Sequence, residues 1–343
     1  MATPIMREAP VVLKDTLRCH CISRDPAIII TYGNPMAGAT MLAPFLADKK
    51  VYFLAGAWWS YLDLSLLDQT RKVFLLMRRA FPEHQYVFLT NDREESGILT
   101  RFDMPNYFCH HNAFLDERFF THMPQVAKRF DAVYTARLTR GKRHELARDI
   151  ASWGLIHGRE ACQGKREQAY LRHLRRMMPG MIQLNGDPEK GEYRYFSPRQ
   201  MGQVCNQARV GLSLSAIEGG NYATTEYLLC GLPVVSTRGK GGREAFLDPE
   251  ISRVVEDTPQ AVAQAVSELI GRRIPPQMVR LRALVRIREM REDFIRLVNA
   301  ILEQEGKAPD FAERFPQIFT HKMITYPQSP QAFLEENGII EKV

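Results

Sequence analysis

The chain has 343 residues, more than one hydrophobic core usually serves, so two domains of about 150 residues are expected. With 45% hydrophobic and 25% charged residues, 22 Gly and 20 Pro, the composition excludes a disordered, collagenous or repetitive chain. The net charge of +7 is uneven: residues 137–179 hold 11 Lys or Arg against 4 acids, which reads mainly as solvated helix faces but also suits an acidic ligand.

In chain order, the opening MATPIMREAPVVLKDTLRCH contains acids and lacks the apolar core of a signal peptide. No later run approaches a membrane span, so the expected location is the cytoplasm. Four β-branched or aromatic runs follow, AIIITYG, VYFLAG, YVFLTN and NYFCHH, a thin alternation of strand and helix. The segment NAFLDERFFTHMP then leads away from the last run and places a domain boundary near residue 125. From about residue 131 the runs FDAVYTA, WGLIHG, MIQLNG, VGLSLSA, LPVVST and SRVVED alternate with helical patterns over 141–150, 166–178, 197–209, 221–230 and 258–273. A long helix is expected over 277–304, with Leu281, Leu284, Val285, Phe294, Leu297, Val298 and Ile301 at helical spacing. The six cysteines (Cys19, Cys21, Cys109, Cys162, Cys205, Cys230) form no C-x-x-C pair, so reduced thiols are expected rather than disulfides or a zinc site.

Strand alternating with helix over this length predicts an α/β fold built of parallel sheets with helices on both faces, as in Rossmann-like domains. The expected division is a first domain over 1–125, a second over 126–305, and a C-terminal strap over 306–343. Two such sheets facing each other leave a central cleft at the carboxyl ends of their strands, which favours the loops after VYTA and LSLSA as ligand sites.

The second of those loops runs into SAIEGGNYATTEYLLCGLPVVST, where Glu218 follows a strand and Glu226 lies inside the next helix. Eight helical residues span about 12 Å, too far for both carboxylates to meet one reacting bond. They would serve different parts of one long ligand. Between them, the free N–H groups of a helix start near Gly220 and Asn221 favour an anion. Carboxylate, phosphate site and carboxylate follow the order of groups in a nucleotide sugar. Taken alone, the pair is explained more economically as a loop charge and an exposed helix-face acid.

The stretch SAIEGGNYATTEYLLCGLPVVSTRGKGGREAF resembles the donor-binding signature of retaining glycosyltransferases of family 4 and their relatives, through Ser215, Glu218, Gly219, Glu226, Gly231, Pro233, Val234, Gly241, Gly242 and Glu244. Gly220 and Asn221 stand where that family has an aromatic and a second glycine. YTARLTRGKRHEL is similar to the same family's Arg–Lys segment, with Arg137 and Lys142 five apart, and HNAFLDERFF resembles its interdomain segment. The resemblance covers residues 110–305 well and the first 105 poorly.

It implies the GT-B fold with a shortened N-terminal domain. It further implies a retaining, metal-independent hexosyltransferase-like enzyme, moving a sugar from a nucleotide diphosphate sugar to a sugar, lipid-linked or peptide acceptor in glycan, glycolipid or glycoconjugate synthesis. In that reading Arg137 and Lys142 stabilise the departing diphosphate. Glu218 holds donor-sugar hydroxyls, Gly219, Gly220, Asn221 and Tyr222 form the phosphate site, and Glu226 holds the ribose. Gly33, Asn34, Gly38, His111 and Asn112 are the acceptor or cleft candidates. No cofactor and no nucleic acid are implied, and relatives with membrane-linked acceptors extend the location to the inner face of a membrane. Two alternatives stay open: a GT-B sugar-nucleotide epimerase, and a non-catalytic nucleotide-sugar-binding protein.

Other signals compete less well. GNPMAGAT is a near miss to a phosphate-binding P-loop, with Ala39 where the lysine belongs, and RGKGGREA lacks the third glycine of a dinucleotide fingerprint. No D-x-D occurs in the chain, which agrees with side-chain cations meeting the diphosphate. His110 and His111 suit a cleft-lining or structural place better than a general base. Trp58, Trp59 and Tyr61 are read equally as acceptor-stacking or as packing residues.

Overall fold

The computed structural model describes residues 8–13, 16–159, 164–320 and 329–342. The chain divides into two compact units, Met1–Leu115 with Arg288–Val343, and Asp116–Ile287. The division falls inside HNAFLDERFF, ten residues before the expected 125, and the C-terminal residues return to the first unit instead of forming a strap.

In the first unit β1 (Cys19–Arg24), β2 (Ala27–Thr31), β3 (Val51–Gly56), β4 (Gln85–Thr90) and β5 (Asn106–Phe108) form one sheet in that order. β2 to β5 are parallel, and β1, which its mixed sequence CHCISR hid, pairs antiparallel along the edge of β2. Consecutive parallel strands in unbroken order, joined by right-handed crossovers, put every connecting helix on one face. Side chains therefore sort by the two-residue period of the strands. Ile29, Phe53 and Phe88 pack with Met36 and Leu42 of the first crossover, with Phe74 and Met77 of α2 (Leu64–Ala80), and with Leu99 of α3 (Arg93–Arg101), after α1 (Ala37–Leu42). Ile28, Ile30 and Leu54 face the other way. That face is covered by Phe294, Val298 and Ile301 of a long C-terminal helix and by Phe311, Phe315 and Phe319 in and just after Phe311–Ile318. A one-sided sheet needs such a cover, which is why residues 288 onward belong here.

The second unit is a six-stranded parallel sheet of β6 (Phe130–Thr135), β7 (Trp153–Ile156), β8 (Met181–Gln183), β9 (Ala208–Ser213), β10 (Val234–Thr237) and β11 (Ser252–Val255). Their spatial order is β11-β10-β9-β6-β7-β8. The chain winds outward from β6 in one direction and from β9 in the other, so the order reverses between β6 and β9. The connecting helices are α4 (Lys165–Met177), α5 (Pro198–Cys205), α6 (Tyr222–Leu229) and α7 (Pro259–Gly271), and α8 (Pro276–Gln304) carries the chain back to the first unit.

Two local expectations change. The helix over 141–150 is instead two short 3-10 turns, Arg140–Lys142 and His144–Ala147, because Arg143 between them is left-handed at φ 50° and cannot continue a helix. Along α8 the buried line is Val279, Ala283, Ile287 and Met290, while Leu281 and Val285 are 59% and 46% exposed. Cys19, Cys21, Cys109, Cys205 and Cys230 are free thiols, and Cys162 lies outside the described residues.

Candidate active site

Ligands of doubly wound sheets bind outside the carboxyl ends of the strands where the strand order reverses. In the second unit that place is the pair β6 and β9, and the loops leaving them carry the sequence candidates. Residues 136–143 leave β6, residues 214–221 leave β9, and residues 238–243 leave the neighbouring β10. Backbone bonds knit the three loops together. Ala216 N donates to Gly141 O at 3.1 Å, Lys240 N to Ala216 O at 3.0 Å, Glu218 N to Lys240 O at 2.9 Å, and Gly242 N to Gly219 O at 3.0 Å.

On this frame the Lys142 Nζ meets Glu218 Oε1 in an ion pair whose side chains are 19% and 12% exposed. Ser215 Oγ donates to the same Oε1 at 2.6 Å. Tyr134, at the end of β6, donates its hydroxyl to Lys142 O at 2.6 Å, and burial raises its pKa. Arg137 stands exposed on the same loop, five residues before Lys142.

The start of α6 is built by Asn221, which adopts φ 49° and accepts from Thr224 N at 3.4 Å as the helix cap. Its amide also donates to Ser213 Oγ at 2.9 Å, tying the cap to the end of β9. Asparagine tolerates the left-handed region better than most residues, so it replaces a glycine here at small cost. Gly219 and Gly220 are buried just before it. Tyr222 opens the helix, and burial together with the Glu226 charge one turn on raises its phenol pKa well above the usual value. Glu226 is 1% exposed, so it is no exposed helix-face acid.

The sequence reading missed two arginines behind these loops. Arg143, counted there among solvated charges, donates to Leu214 O at 2.6 Å, Ser215 O at 3.0 Å and Thr237 Oγ1 at 2.7 Å, and pairs with Asp257. Arg243, 1% exposed, donates to Ser215 O at 2.6 Å and to Thr237 O, and burial lowers its pKa. Two guanidinium groups converging on one carbonyl fix the path of the loop that carries Glu218. The only sequence signal for Arg243 was the run GKGG before it: a Cβ on Gly239 would lie 2.3 Å from an Arg243 guanidinium nitrogen.

The first-unit candidates cluster at the carboxyl ends of β2 to β5, but several are enclosed. Gly33, at φ 95°, turns the chain and accepts from Trp58 N at 3.2 Å, and Asn34 Oδ1 accepts from Met36 N at 3.3 Å. Gly38 lets the first helix approach β2, since a Cβ there would lie 2.7 Å from Thr31 Cγ2. Asn112 is fully buried, and His111, 7% exposed, donates its backbone N–H to Asn91 Oδ1 at 2.9 Å. Burial, with His110 beside it, pushes the His111 pKa well below the usual imidazole value. Tyr61 is a core residue, whereas Trp59 is 42% exposed with its indole N–H on Asp63 at 3.0 Å. Glu95 is the organising acid, accepting from Ser60 Oγ at 2.6 Å, Tyr61 N at 3.1 Å and Asn91 N at 2.9 Å.

Among the described residues no group of three or more His, Cys, Asp or Glu is placed to hold a metal ion, and no helix is long and apolar enough to cross a membrane.

Two Rossmann-like units, one of them doubly wound with its loops knitted at the switch point, make this a protein of the GT-B fold. No protein-family model matches the chain, and no curated protein matches its sequence. Solved structures do match. HepE from Anabaena in complex with UDP is similar with a TM-score of 0.59 at 13% identity, over 79% of this chain and 78% of that one. Sucrose-phosphate synthase from Thermosynechococcus elongatus gives 0.59 at 14% identity, over 81% and 74%. The pneumococcal O-GlcNAc transferase GtfA, in complex with UDP and GlcNAc, gives 0.53 at 13%, over 77% and 55%.

Proposed function

We propose that the protein is a glycosyltransferase that moves a sugar from a nucleotide diphosphate sugar to an acceptor. The observation that carries this reading is the Lys142–Glu218 pair at the β6/β9 switch point, followed on α6 by the helix start and the buried Glu226. The residue types suit the order of groups along a nucleotide sugar. Arg137 and Lys142 would take the charge that builds on the diphosphate as the glycosidic bond breaks. Gly219, Gly220, Asn221 and Tyr222 would pass backbone N–H groups to the phosphates at the positive end of α6. Glu218 would accept from donor-sugar hydroxyls and Glu226 from the ribose pair. The GT-B fold supports the reading, and among its similar structures HepE holds UDP and, separately, UDP-glucose.

The finer reading is a family 4-like enzyme that retains anomeric configuration and needs no metal, its diphosphate being met by side-chain cations and a helix terminus. Gly33, Asn34 and Trp59 in the first unit are offered for the acceptor side, which would be a sugar, a lipid-linked sugar or a peptide. The exposed basic helices suit a peripheral contact with anionic lipid on the inner face of a membrane.

The test is a thermal-shift screen with UDP, GDP, ADP, CMP and their sugars, followed by product analysis with the stabilising donor. A ligand at 100 times its dissociation constant adds about 2.7 kcal/mol. Stabilisation by one nucleotide and its sugar, with nucleotide release on adding acceptor, is the expected result. No stabilisation by any of them would overturn the reading. Turnover without acceptor would replace it with an epimerase-like one.

A further inference from the structure

The ammonium assigned to the diphosphate is already occupied. Lys142 Nζ sits on Glu218 Oε1, the same oxygen that receives Ser215 Oγ at 2.6 Å, and both partners are mostly buried. Neither end of the pair is loose. The Lys142 backbone is held by Tyr134 through its carbonyl, Glu218 N is held by Lys240 O, and Ser215 O is clamped by Arg143 and Arg243. Lys142 and a diphosphate cannot meet fully while the ammonium faces the carboxylate, because Lys142 has one charge and two claimants.

We infer that Glu218 is a specificity-determining residue that makes the site favour the intact nucleotide sugar over the free nucleoside diphosphate, by competing with the phosphates for Lys142. The inference rests on the reading proposed above. A free nucleoside diphosphate draws Lys142 toward its phosphates and leaves the Glu218 carboxylate, in a partly desolvated place, with Ser215 as its remaining side-chain donor among the described residues. Stripping a carboxylate of a charged partner in such surroundings is costly. The intact donor brings sugar hydroxyls to the same carboxylate and replaces what Lys142 withdrew. Once the sugar is transferred those hydroxyls leave, Glu218 reclaims Lys142, and the nucleoside diphosphate is weakened at the moment it must depart. One carboxylate thus opposes product binding and supports substrate binding.

The experiment is isothermal titration of wild type, Glu218→Gln, Lys142→Ala and the double variant with inorganic pyrophosphate, UDP and UDP-glucose. Glu218→Gln keeps the shape and removes the competing charge. It is expected to tighten pyrophosphate and UDP by about tenfold while UDP-glucose gains nothing or weakens. In the Lys142→Ala background the same change is expected to leave pyrophosphate and UDP within about twofold. Unchanged or weaker pyrophosphate binding by Glu218→Gln overturns the inference, as does equal tightening without Lys142, which would mean a general charge effect. If Glu218→Gln does not fold, Glu218→Ala carries the same expectation for pyrophosphate. Wild-type protein that binds none of the three ligands, nor any nucleotide of the thermal screen, overturns the proposed function itself and this inference with it.

Discussion

Gly241 presses on the Glu218 carbonyl so closely that a Cβ built on it would lie 1.6 Å from that oxygen, and its φ of 106° lies in the region that favours glycine. The loop after β10 is thus the floor beneath the loop after β9. Gly241→Ala is expected to lower stability by about 2 kcal/mol or more and to weaken donor binding together. Gly141→Ala, where nothing lies within 4 Å of the added carbon, is the matched control. Thermal melts and nucleotide titrations of the two variants check this, and equal behaviour would refute the contact.

Glu226 is buried on α6, about one turn beyond the helix start. If it holds the ribose, Glu226→Ala loses a charge-assisted contact worth about 1.5–3 kcal/mol, or about 10- to 150-fold in nucleoside diphosphate affinity. Pyrophosphate, which has no ribose, should bind the variant as it binds wild type. A loss for both ligands would mean that the carboxylate supports the helix instead of the nucleotide.

Lys142→Ala is expected to lower kcat by about 100-fold or more, because charge builds on the leaving diphosphate in the transition state. Steady-state kinetics separate the possibilities. A raised KM at constant kcat would confine Lys142 to binding.

Activity is expected to survive EDTA, since two cations and a helix terminus serve the phosphates in the proposed site. Assays after chelation and after adding back Mg²⁺ or Mn²⁺ decide it. Activity that disappears and returns with the metal would contradict this phosphate site.

His144 is fully buried between Tyr134 and Tyr170, and burial, with Lys142 nearby, lowers its pKa from 6.5 to about 3. A histidine held neutral in the folded state and free to protonate when unfolded stabilises fully above pH 6.5. That contribution falls by about 1.4 kcal/mol per pH unit down to about 3. His144→Phe should therefore flatten the acid limb of stability in this window. Denaturant melts at several pH values read the slope, and an unchanged slope would show that other groups set it.

Several features were legible in the sequence because they are local. The runs from AIIITYG to SRVVED appear as strands β2 to β11, since β-branched segments bounded by turn residues have few alternatives. The spacing of Glu218 and Glu226 drew attention to the candidate site, because one strand, one loop and one helix contain both. Where the code was non-local, tertiary structure decided. CHCISR is a strand only because β2 offers it an edge, and residues 288–343 join the first unit because a one-sided sheet has a face to cover. Arg143 reads as a solvated charge in the sequence and Arg243 is given no role there, yet both end under the candidate site because the carbonyls of Leu214, Ser215 and Thr237 converge there. The family resemblance named Arg137 and Lys142 as candidates to meet a diphosphate. Only the fold brought Lys142, 76 positions before Glu218, onto the same carboxylate, because the strands preceding their loops are neighbours in the sheet.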